Sequence, residues 1–234
     1  MDNTEVMQRV ALARRVGLAW LATLIVGIVS AMFLGRGIDI NLSADVQAVA
    51  EAMLNAETRL RAMAWVGLLL LALDLLVSVG LFLLLKSSGV LLAAWSMGTR
   101  IMAGLLSALG AVYLMNAAEI ASRPAYTALA DSADRLLLNA LQATSNYSSF
   151  HLSLVLSSSA LAGFYWLFLK SGLLPRLIAG WGLFASLFVA VTLVLRDFIP
   201  AMGYSSVTLA FMLSNMIALF STSIYMAALG VRAT

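Results

Sequence analysis

Two residues of opposite charge stand in apolar runs where charge is costly. Asp74 lies inside "GLLLLALDLLVSVGLFLLLK" (67–86) and Arg100 inside "WSMGTRIMAG" (95–104). Such a pair can act as a structural clamp, handle a proton or an ion, or anchor a charged ligand, because ionisable groups in apolar surroundings are tolerated chiefly when paired. A second set is His151, the only histidine, with Glu119 and Asp197. An imidazole near carboxylates can serve as acid or base, or supply a metal ligand. The bland alternative makes His151 an interfacial polar residue. Asn215, in "LSNMIAL" (213–219), adds an amide that can hydrogen-bond among helices or line a cavity.

Other chemistries find little footing. There is no cysteine, which excludes disulfides, thiolate zinc sites and cysteine nucleophiles. One imidazole is too few for a three-histidine zinc site or for bis-histidine haem ligation. Ser149, Ser153 and Ser157 share a helix face at i, i+4 and i+8, and small residues so spaced favour close helix packing. His151 is two residues from Ser149 and from Ser153, on another face, so no nucleophile–base pair is legible. The chain also lacks a phosphate-cradling glycine loop, an HExxH and a GxSxG, so no cofactor is expected.

The elements that must position these residues follow from composition. Of 234 residues, 62% are hydrophobic and 11% charged, with a mean hydropathy of +0.99. That is too little polar surface to face water all round, so the solvent is a lipid bilayer. The apolar runs are long and do not alternate, so they read as helices rather than barrel strands. The pI of about 9.5 is assigned to bases near the lipid surface, not to nucleic acid.

Six spans are predicted, at about 16–34, 62–85, 90–115, 150–169, 177–196 and 204–229, within one transmembrane domain covering 1–234. The first span exceeds the length of a signal h-region and lacks a clean cleavage site, so it reads as a retained anchor.

Alternate connections differ in charge. One side carries Arg9, Arg14, Arg15, Lys86, Lys170, Arg176 and Arg232 against Asp2 and Glu5, a net +5. The other carries Arg36, Arg59, Arg61, Arg123, Arg135 and Arg196 against eight acids, a net −2. Both termini are therefore predicted to be cytoplasmic, in a cell inner membrane.

The connections "KSSG" (86–89) and "KSG" (170–172) each place a lysine at a helix C-terminus and a glycine available for a left-handed cap. Pro175 suits the first turn of the fifth span. The hairpins "LFLLLKSSG" and "WLFLKSG" read alike, as two parallel units would.

Two amphipathic helices are predicted outside the spans. One covers 43–60, with Val46, Val49, Met53, Ala56 and Leu60 on one face and Ser43 as cap, and runs into the second span. The other covers 125–141, with Tyr126, Leu129, Ala133, Leu137 and Leu141. They lie on the bilayer surface or lid the bundle.

Depth then joins the two charges. Asp74 is 12 residues before Lys86, about 18 Å from the bilayer edge, and Arg100 is 11 residues after Gly89, about 16 Å from the same edge. A tight turn makes their helices neighbours, so an Asp74–Arg100 ion pair is expected near mid-membrane.

At "FYWLFLKSGLLPRLIAGWGLF" (164–184) the chain resembles the domain-of-unknown-function (DUF) 4386 family of bacterial membrane proteins. The likeness rests on Ser171, Leu174-Pro175-Arg176 and Trp181-Gly182, with His151 opening the same helix, Arg100 in the third span and "ARRVGL" (13–18) beginning the first. In the family pattern the third-span arginine is often followed three positions later by a carboxylate. Ala103 holds that place here, which leaves Asp74 as the partner. The resemblance implies the fold and a bacterial inner membrane, and no activity.

The reading is an all-α, polytopic helical bundle with six transmembrane helices and two external amphipathic helices. Its expected function is non-catalytic binding, transport or sensing of a lipid, small molecule or ion around Asp74, Arg100 and Asn215. The alternative is a membrane-embedded enzyme with an outward-facing site at His151, Glu119 and Asp197.

Overall fold

Every proline of the chain stands at a helix boundary, so no long apolar run is interrupted by one. A computed structural model describes residues 3–39 and 45–232. Asp2, counted among the acids above, and Ser43, expected as a cap, lie outside the described residues.

Among those residues the chain forms α1 (Asn3–Phe33), α2 (Val46–Leu54), α3 (Glu57–Leu85), α4 (Val90–Ser122), α5 (Pro124–Leu129), α6 (Ser132–Ser171), α7 (Arg176–Arg196) and α8 (Ser205–Leu229). Short 3-10 turns cover Lys86–Ser88 and Pro200–Gly203. Six of the helices, α1, α3, α4, α6, α7 and α8, are long and apolar enough to cross a membrane. The chain is an all-helical, multi-pass membrane protein.

The helices run past the predicted spans, most of all in α6. The sequence starts that span near 150, because Asn139, Gln142, Thr144 and Asn146 dilute the hydropathy upstream. No glycine or proline breaks those turns, and the helix begins at Ser132. Asp131 ends the preceding segment instead: its carboxylate accepts the Asp134 N–H at 2.8 Å. The expected helix over 125–141 is therefore two pieces, α5 and the first turns of α6, and Leu129, Leu137 and Leu141 on its apolar face are exposed.

A similar break divides 43–60. Asp45 caps α2 by accepting the Ala48 N–H at 3.0 Å. Asn55 closes that helix, its side-chain amide donating to the Glu51 carbonyl at 3.2 Å, and α3 starts afresh at Glu57. The predicted apolar face is buried at Val49, Met53, Ala56 and Leu60 and exposed at Val46.

The two tight turns close differently. Gly172 takes the left-handed conformation at φ +67°. Gly89 is extended at φ 166°, because the 3-10 turn at Lys86–Ser88 already reverses the chain. Glycine is still favoured there, since a Cβ would come within 2.9 Å of Leu167. Pro175 stands one residue before α7, as its cap.

The chain divides into two compact units. One comprises Met1–Leu24, Leu73–Gly104 and Ser153–Thr234, the other Ile25–Ala72 and Leu105–Leu152. The core of the first gathers Trp20 of α1, Leu81 and Leu84 of α3, Phe164, Tyr165 and Phe168 of α6, and Met226 of α8. Between helices in lipid, close packing replaces the hydrophobic drive. Gly182 provides it by lying flush against the Tyr165 ring, where a Cβ would overlap ring atoms, and Gly163 by lying against the Ser96 hydroxyl. The core of the second unit is built from smaller residues, Ala64, Ala111, Ala117, Ala118 and Ala143, around Met53 and Leu60.

Candidate functional site

In the first unit the short turn after α3 brings Asp74 and Arg100 face to face. Arg100 Nε donates to Asp74 Oδ1 at 3.1 Å and to Oδ2 at 3.3 Å, and Nη2 donates to Oδ1 as well. The expected ion pair is present, and it is buried. Arg100 is 4% exposed, whereas 22% of the Asp74 side chain remains exposed.

A lone Asp or Arg at the centre of a spanning helix costs about 2.5–3.5 kcal/mol. Mutual neutralisation offsets part of that cost, and losing one partner strands the other at about 3–5 kcal/mol. Two further contacts hold the site. The Trp20 ring of α1 lies with its centre 5.3 Å from Arg100 Cζ, a cation–π contact. One turn along α3, Ser78 donates its hydroxyl to the Asp74 carbonyl at 2.7 Å.

The pairing leaves a remainder. Arg100 Nη1 is buried without a hydrogen-bond partner among the described residues, and so is the hydroxyl of Ser96, one turn earlier on α4. A guanidinium offers five N–H donors and no acceptor, so this edge of Arg100 is a fixed, unused donor.

Asn215 belongs to the same unit, on α8, and its Oδ1 is likewise buried and partnerless, as is the hydroxyl of Ser214. The Ser214 carbonyl accepts the Trp181 indole N–H at 3.1 Å. A further polar contact, absent from the sequence reading, joins α6 to α8. The Tyr165 hydroxyl lies 2.9 Å from Thr222 Oγ1 and donates to the Ala218 carbonyl at 3.3 Å. A signal existed in a tyrosine amid "AGFYWLF", since a buried phenol needs a hydrogen-bond partner. Trp20 gave a weaker one, as an aromatic within the first span.

The second unit places Glu119 in an ion-pair network. Its Oε1 accepts from Arg61 Nη2 at 2.7 Å and its Oε2 from Arg123 Nη1 at 3.3 Å, while Arg61 Nε reaches Glu57 at 3.0 Å. His151 lies within α6, its ring centre 5.7 Å from that of Tyr147, with Nε2 buried and without a hydrogen-bond partner among the described residues. Asp197 is an exposed residue at the end of α7, in the first unit. Among the described residues no group of three or more His, Cys, Asp or Glu side chains is gathered closely enough to hold a metal ion.

Two of the three serines in the α6 row bond to α4. Ser149 donates to the Leu106 carbonyl, and Ser153 donates to the Ala103 carbonyl at 2.8 Å. Each hydroxyl satisfies itself on a neighbouring backbone, as membrane helices use serine for close association.

No curated protein and no solved structure matches the chain. A family model does, described as a domain of unknown function (DUF4386) and matched over residues 16–230. With that match across nearly all of a six-span, all-helical chain, the protein belongs to the DUF4386 family.

Proposed function

We propose that this protein is a non-catalytic component of the cell inner membrane that binds a small molecule or ion at the centre built on Asp74 and Arg100, as a carrier, sensor or partner subunit. One observation carries the reading: a nearly buried arginine spends two nitrogens on Asp74 and keeps Nη1 without an acceptor among the described residues. A buried donor left unmade costs about 1–3 kcal/mol, and more when charged. A pure clamp has no use for that donor, whereas a ligand carrying an acceptor recovers the cost. The Ser96 hydroxyl offers a second polar point one turn away, and the exposed edge of Asp74 offers an approach. Asn215 Oδ1 is a further unused acceptor on α8.

A membrane enzyme built on His151, Glu119 and Asp197 has less support, since Arg61 and Arg123 hold both oxygens of Glu119. The orientation proposed, with both termini cytoplasmic, rests on the net +5 of one set of connections against −2 of the other.

A high-resolution structure of the full chain in lipid tests the binding centre. Non-protein density within hydrogen-bond distance of Arg100 Nη1 is the expected result, and a protein carbonyl capping that nitrogen contradicts it. Orientation is tested on a chain with no native cysteine, by thiol labelling of Ser87→Cys and Ser132→Cys variants. Intact cells should label the second and spare the first, and the reverse pattern overturns the proposed topology.

A further inference from the structure

The first unit gathers seven of its nine bases at one end, Arg100 and Arg196 being the exceptions. Arg9 Nη2 donates to the Leu84 carbonyl at 3.0 Å and to the Ser87 hydroxyl at 3.4 Å, which sets the start of α1 beside Lys86. Gly230 packs against Val10, and the Arg232 N–H donates to the Leu173 carbonyl at 3.0 Å, between Lys170 and Arg176. Seven cationic side chains from four segments thus share this end, and among the described residues none of them is ion-paired to a carboxylate. Glu5 is the one described acid in these segments.

Arg14 and Arg15 stand apart within that set. They are exposed and lie five and six residues past Arg9, about 8–9 Å further along the helix and so inside the edge that Arg9 marks on α3. Side chains on a helix lean toward its N-terminus, so both guanidiniums reach back over the turn of Val10 and Ala11. There one face of α1 forms an open hollow of about 450 Å³, lined by Val6, Met7, Val10, Ala11 and the two arginines, all from that helix. On the bilayer side Leu18, 57% exposed, continues the same face.

We propose that this open face of α1 seats one acidic phospholipid, with its phosphate held by Arg14 and Arg15 and an acyl chain laid along α1 past Leu18. A guanidinium matches a phosphate through paired, charge-assisted N–H donors. Long basic side chains reach headgroup level from below while their methylenes stay in apolar surroundings. The cationic headgroup of a zwitterionic lipid meets the surrounding bases and is repelled, whereas an anionic headgroup is drawn in. Charge complementarity therefore selects the acidic class.

The test uses the full chain in mild detergent at about 0.15 M salt, where screening limits electrostatic reach to about 8 Å. Phosphatidylglycerol, phosphatidylcholine and inorganic phosphate are each titrated, with Tm and lipid retention in native mass spectrometry as readouts. Phosphatidylglycerol should be retained and raise Tm, while phosphatidylcholine and phosphate alone do neither. Arg14→Gln/Arg15→Gln should weaken that retention on the order of 30-fold, as two surface bases contribute, and Lys170→Gln/Arg176→Gln should weaken it far less. Equal retention of both lipids, stabilisation by phosphate alone, or equal loss in the two double variants overturns the proposal. The comparison of lipids on the unmodified chain decides even if a variant does not fold.

Discussion

Arg100 Cζ stands 5.3 Å from the centre of the Trp20 ring, so the cation that Asp74 neutralises along one edge is covered by an aromatic face from a third helix. The centre thereby ties α1 to the α3–α4 hairpin, and the tie is electrostatic as well as steric. Desolvated cation–π contacts are worth about 2 kcal/mol. Trp20→Leu should lower unfolding free energy by at least that amount, since Trp20 is 2% exposed and its removal also leaves a cavity. Trp20→Phe should retain part of the loss. The decisive comparison repeats both substitutions in an Arg100→Gln background, where the difference attributable to the cation disappears. An unchanged penalty there means that Trp20 acts only by filling space.

Close approach in the first unit depends on Gly182, whose missing side chain leaves room for the Tyr165 ring. That ring is anchored at its hydroxyl by Thr222 and Ala218 and cannot swing aside without breaking those bonds. Gly182→Ala should therefore cost about 1–3 kcal/mol, as overpacking does. Gly180→Ala, two residues away with nothing within 4 Å of the added methyl, should be neutral or stabilising by up to about 1 kcal/mol through helix propensity. Thermal unfolding of both variants in the same detergent checks the contrast, and equal destabilisation argues against the close contact.

Salt should separate the two charged groups. The Glu119 network with Arg61 and Arg123 is partly open to solvent, whereas Arg100 is almost wholly covered. Screening acts on exposed pairs and much less on buried ones. Between about 0.05 and 0.5 M salt, the Tm penalty of Glu119→Gln should shrink toward zero while that of Asp74→Asn stays nearly constant. Equal salt sensitivity would place both pairs in the same environment and remove the distinction.

What the sequence made legible, and what it hid, has a physical pattern. Asp74 and Arg100 were readable because a tight turn fixes the depth of each residue by simple counting along two helices. Trp20 was not, since α1 is joined to α3 by a long connection that sets neither its rotation nor its height. The pairing of Glu119 with Arg123 follows from i, i+4 spacing, yet the stronger contact with Arg61 needs the packing of α3 on α4, which spacing within one helix cannot supply. The α6 helix starts upstream of the expected span because hydropathy marks where a helix meets lipid, whereas the helix itself begins where Asp131 caps it. In the same way, Asn55 divides a stretch whose apolar spacing looks continuous. Partnerless groups such as Arg100 Nη1 and His151 Nε2 are visible only once every neighbour has been placed.

Mutual stabilisation of Asp74 and Arg100 within the bundle is best measured by a double-mutant cycle on unfolding free energy in lipid-like detergent. Asp74→Asn and Arg100→Gln should each cost about 3–5 kcal/mol. The double variant should cost less than the two combined, by about 2 kcal/mol or more. Additivity to within about 0.5 kcal/mol would mean that the two charges do not support each other, and would contradict the account.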